Sequence, residues 1–80
     1  MGLNFKIIDL FVTRTKNPQV FMFTFQLETK EIYKNHLFLS YEQYNNMTTR
    51  DEQQNIDYFI LNFKPFIEKT INNETPIFLI

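Results

Sequence analysis

The chain has 80 residues, with 8 Lys+Arg against 9 Asp+Glu, one His, one Gly and no Cys or Trp. Folded-surface scaling gives a chain of this mass roughly 5,200 Å² of accessible surface, which allows a single domain with one small core. A hydrophobic fraction of 44% disfavours disorder, the lack of cysteine excludes a disulfide scaffold, and a net charge of −1 argues against a general polyanion binder.

The charge is unevenly spread: residues 1–40 carry +2 and residues 41–80 carry −3. No apolar run approaches the ~20 residues of a membrane span, and the start lacks the charged-then-apolar order of a signal peptide, so the expected compartment is the cytoplasm. Phe, Tyr, Met, Ile, Asn and Lys supply 41 of the 80 residues while Gly, Ala, Arg and Pro supply 6. The first set is written in AT-rich codons, which points to an AT-rich genome such as that of a low-GC bacterium or its phage.

Residues 3–13 alternate, with Leu3, Phe5, Ile7 and Phe11 on one face and Ile8, Leu10 and Val12 on the other, which predicts a first strand. A polar turn containing Asn17-Pro18 follows. Residues 20–28 give the cleanest period of two: Phe21, Phe23, Phe25 and Leu27 point one way, Met22, Thr24, Gln26 and Glu28 the other. A third strand, over 32–39, completes an antiparallel meander.

Ser40-Tyr41-Glu42-Gln43 reads as a capping box that opens a short helix, and Thr49-Arg50-Asp51-Glu52 as a second box opening a longer one. The apolar positions Ile56, Phe59, Ile60, Phe63, Ile67 and Ile71 of the longer helix fall on one stripe. Pro65 removes a backbone donor within it, while the stripe keeps phase across the proline, so a kink is expected. The last residues, Ile77, Phe78, Leu79 and Ile80, are expected to be buried, as a fourth strand on a sheet edge. The fold class is thus α+β, with a three- or four-stranded mainly antiparallel sheet packed on one face by a kinked C-terminal helix and preceded by a short helix.

Little in the sequence carries catalytic chemistry. With no Cys and one His, a conventional metal centre lacks ligands. The only glycine is Gly2, which removes the loops that cradle nucleotide phosphates. His36 is the simplest general base near neutral pH, with Lys34 and Ser40 nearby in sequence, but no nucleophile and orienting group accompany it. No cofactor is implied, and the expected function is a non-enzymatic protein–protein interaction module, a regulator or inhibitor.

Two apolar rows remain after the main core is assembled and are the candidate partner or self-association surfaces: Tyr58, Leu61 and Pro65 on the outer ridge of the long helix, and Ile8, Leu10 and Val12 on the first strand. Internal cover from Tyr41, Tyr44 and Met47 of the short helix competes with a partner for the first of these rows. The alternative function is nucleic-acid binding through the basic first hairpin, at Arg14 and Lys16.

Overall fold

Phenylalanine at every second position from 21 to 25 gives the second strand one fully apolar side, and this side organises the molecule. The computed structural model describes residues 6–72. It contains β1 (Ile7–Arg14), β2 (Val20–Leu27), β3 (Ile32–Phe38), α1 (Tyr41–Asn46) and α2 (Glu52–Ile71). The strands form an antiparallel sheet in the order β1-β2-β3. The expected strand at Leu3 and Phe5 and the one at Ile77 to Ile80 lie outside the described residues. The accessible surface is 5325 Å² and the radius of gyration 11.9 Å.

β2 behaves as its alternation requires. Phe23 and Phe25 are completely buried, and Phe21 and Leu27 nearly so. Phe59 of α2 lies over them, with ring centroids 5.1 Å from Phe23 and 5.6 Å from Phe25. Phe66 adds an edge contact to Phe23 at 5.8 Å. Burying a phenylalanine removes about 150 Å² or more from water, so this aromatic cluster contributes heavily to the hydrophobic driving force.

The faces of β1 differ from the expected alternation. Ile7 pairs with Leu27, but the next pair is Asp9 with Gln26, so Ile8 is an extra residue in a β-bulge. The bulge reverses phase within the strand: Ile7, Leu10 and Val12 turn to the core face, while Phe11 turns outward at 62% exposure. The grouping of Ile7 with Phe11, and of Ile8 with Leu10 and Val12, is therefore corrected. A continuous alternation would have placed Phe11 in the core.

The two polar connections are held locally. In the first, the Thr15 hydroxyl donates to the Val20 carbonyl at 2.7 Å, and Asn17 Oδ1 accepts from the Gln19 N–H. In the second, Lys30 sits at φ 82°, a left-handed conformation usually left to glycine, and its N–H donates to the Leu27 carbonyl.

α1 begins as expected, with Ser40 as N-cap and a reciprocal bond between its backbone N–H and the Gln43 side chain. α2 starts two residues later than the sequence suggests. Asp51 is the N-cap, accepting from the Gln54 N–H, while the Thr49 hydroxyl donates back to the Asn45 carbonyl. The kink is present and is expressed at Phe63, which has φ −129° and ψ 27°, two residues before Pro65. This is where a proline ring disturbs the preceding turn. α2 starts beside β1, where Glu52 meets Asp9, and ends beside β3, where the Thr70 hydroxyl accepts from Asn35 Nδ2 at 3.2 Å.

Candidate interaction surface

The helices occupy one side of the sheet. Because the odd residues of β2 face the core, its even residues and their cross-strand partners form the opposite side. Three rows cross it: Asp9–Gln26–Ile32, Phe11–Thr24–Lys34 and Thr13–Met22–His36, with Val20–Phe38 beyond them at the end. Phe11, Ile32 and Phe38 are 62%, 59% and 55% exposed there. Ile8, at the bulge, adds to the same rim. Among the described residues, four of the six exposed large apolar side chains thus belong to one surface, with Lys34 and His36 among them; the other two are Tyr41 and Leu61 on the helices.

The residues selected from sequence are dispersed. On α2, Leu61 is 82% exposed and Pro65 is exposed, but Tyr58 is half-buried against the core. The guanidinium of Arg50 lies 5.7 Å from the Tyr58 ring centroid, and Asn46 Nδ2 reaches the Tyr58 hydroxyl. The expected outer ridge is therefore interrupted at its first member. Leu10 and Val12 are half-buried against the core, which leaves Ile8 alone of the strand row on the outer rim. Of the short-helix residues expected to offer internal cover, Met47 is buried and Tyr44 stacks on Phe21 at 4.7 Å, while Tyr41 stays exposed.

The basic hairpin divides similarly. Arg14 does not extend from the tip but turns onto α1, 5.0 Å from the Tyr44 ring centroid and 6.0 Å from that of Tyr41. The Tyr44 hydroxyl beside the guanidinium raises the Arg14 pKa above its ordinary value. Arginine used to staple a strand to a helix in this way is a packing device as well as a charge. Lys16 remains exposed in the turn.

Among the described residues no nucleophile and orienting group assemble around His36. Its N–H donates to Asn35 Oδ1, and the Ser40 hydroxyl is committed to capping α1. A shallow cleft at the sheet end is lined by Gln19, Phe38, Leu39 and Ser40, none of which titrates near neutral pH. Among the described residues no three His, Asp or Glu side chains converge as metal ligands would, and no helix is long and apolar enough to cross a membrane.

Sequence reasoning missed Phe11 and Phe38 as surface residues. The signal for Phe38 was present, since it shares even parity with Met22 and Lys34. Phe11 became external only through the bulge. No family model matches the chain, and no curated protein or solved structure matches it significantly.

Proposed function

We propose that this chain is a small non-enzymatic protein–protein interaction module, a regulator or inhibitor, and that its contact surface is the sheet face carrying Phe11, Ile32 and Phe38. The supporting observation is the contrast between the two sides of one sheet. Phe23 and Phe25 are sealed by helices, while three large apolar residues on the reverse side stay more than half exposed. Apolar side chains interleaved with Thr24, Lys34 and His36 have the composition of a docking patch, with anchors that desolvate and a polar surround that fixes orientation. Leu61 and Pro65 on α2 form a smaller secondary surface. The AT-rich residue usage supports an origin for such a module in a low-GC bacterium or its phage.

One observation favours a second reading. Phe11 and Phe38 share their face with Lys34 and His36, and exposed aromatics beside a lysine on a sheet can stack unpaired bases. This differs from a contact at Arg14 and Lys16, because Arg14 is engaged by α1.

Affinity capture from the native host, run in parallel with parent and Phe11→Lys baits, tests the first reading. The module reading expects a partner held by the parent and lost by the variant at unchanged fold. A gel-shift titration with single-stranded oligonucleotides tests the second, since phosphate-driven binding would weaken steeply as salt is raised. Equal capture by both folded baits contradicts the assignment of this face.

A further inference from the structure

The outer edge of β3 is built differently from that of β1. Leu27 donates to the Glu31 carbonyl and Leu39 to the Gln19 carbonyl, so the odd positions of β3 bond to β2. Antiparallel ladders alternate, and the N–H and C=O groups of Ile32, Lys34, His36 and Phe38 therefore point away from the sheet. β1 is blunted by its bulge at Ile8 and by Asp9 Oδ1, which accepts from the outward Leu10 N–H. β3 carries no bulge and no proline. Its one local block is Asn35 Oδ1, which accepts from the His36 N–H at 2.9 Å. An edge this regular is a template for another strand.

The order Ile32-Tyr33-Lys34-Asn35-His36-Leu37-Phe38 reads alike in both directions by chemical class. Two apolar residues, a basic one, an amide, a basic one and two apolar residues follow each other. A two-fold axis at Asn35 would set Ile32 against Phe38 of a second copy on the outer face, and Tyr33 against Leu37 on the core face. The same axis sets Lys34 against His36 of the second copy, two basic residues whose juxtaposition weakens the pairing, so the apolar pairs on the two faces carry the contact.

We propose that the occupant of this edge is a second copy of the same chain, paired antiparallel through β3 to continue the sheet from three strands to six. The proposal deepens the interaction-module reading by naming one partner; it takes Ile32 and Phe38 of the outer face into the pairing and leaves Phe11 available on both copies. Ile32 and Phe38, both more than half exposed in the single chain, would cover each other twice. Seven paired residues span only about 24 Å, so the interface falls below the roughly 1,200 Å² of stable complexes, and the dimer should be weak and concentration-dependent.

The lack of cysteine supplies the test. At the two-fold axis Asn35 faces its own copy as a non-hydrogen-bonded pair, with Cα atoms about 4.5 Å apart, within range of a disulfide. Asn35→Cys should oxidise to a covalent dimer, whereas Thr13→Cys, on β1, should stay monomeric under the same conditions. Sedimentation of the unmodified protein should show its mass rising toward twice 9.8 kDa at high concentration. Lys34→Pro should abolish that rise while keeping the fold, because it removes an outward N–H and no bond to β2.

A parent chain monomeric at all concentrations, with a folded Asn35→Cys variant that does not crosslink, overturns the proposal. So does a dimer that survives Lys34→Pro or crosslinks equally at Thr13, which would place the contact on the sheet face. Dimerisation seen only after residues 77–80 are removed overturns it as well, by identifying the chain's own tail as the occupant. Capture is read through Phe11→Lys, at a residue the β3 pairing does not use, so the two readings fail separately.

Discussion

Asn35 on β3 donates to the Thr70 hydroxyl in the last turn of α2, a 3.2 Å bond between residues 35 positions apart in the chain. Thr70 is the buried polar residue among those described, and this bond gives its hydroxyl a partner at the end of a helix that has already been kinked. The same Asn35 side chain closes the His36 edge N–H. One amide thus ties the helix to the sheet and closes one of the four outward N–H groups of the β3 edge.

Thr70→Val keeps the shape and removes the acceptor, leaving the Asn35 amide without its core partner. The expected loss is about 1 kcal/mol, which in a domain of this size lowers the melting temperature by about 4–8 °C. Calorimetry checks the magnitude. Amide exchange should quicken in β3 before it does in β1.

Lys30 offers a change of the opposite sign. Its φ of 82° is steric strain for any residue with a Cβ, while its backbone N–H still bonds to Leu27. Lys30→Gly relieves the strain and retains that bond, so chemical denaturation should show a gain of about 0.5–1 kcal/mol with an unchanged denaturant slope.

At the other end of α2, Asp9 hydrogen-bonds the Glu52 carboxyl and its charge opposes a second one, which together raise the Glu52 pKa above its ordinary value. An acid whose folded pKa is raised binds more protons in the native state. Its contribution is fully present below the unfolded carboxylate range and is lost as pH rises through the folded value. Asp9→Asn keeps an oxygen for the Leu10 N–H and removes the opposing charge. Melting curves across pH should show the variant gaining on the parent at neutral pH, with that gain disappearing in acid.

These features differ in how far the sequence reveals them. The Phe21, Phe23, Phe25 and Leu27 row is legible because uninterrupted alternation admits one buried side, and the Ser40 cap because its box has a fixed spacing. The bulge at Ile8 is not, since an extra residue has meaning only against the register of the paired strand. Thr49 and Asp51 are equally good caps on paper; Thr49 lost because its hydroxyl bonds back to Asn45. Phe66, absent from the expected helical stripe, reaches Phe23 beyond the kink. The outer surface was hardest to read, because the bulge decides which side Phe11 takes.

The central claim is that the two faces of the sheet serve different ends, one for stability and one for contact. Thermal unfolding of Phe23→Ala beside the double variant Phe11→Lys/Phe38→Lys measures this directly. The account predicts a loss of about 3–5 kcal/mol for Phe23→Ala, enough to leave it largely unfolded, and a change within about 0.5 kcal/mol for the double variant. A double variant that collapses as Phe23→Ala does would mean that Phe11 and Phe38 are packing residues, and would contradict the assignment of their face to partners.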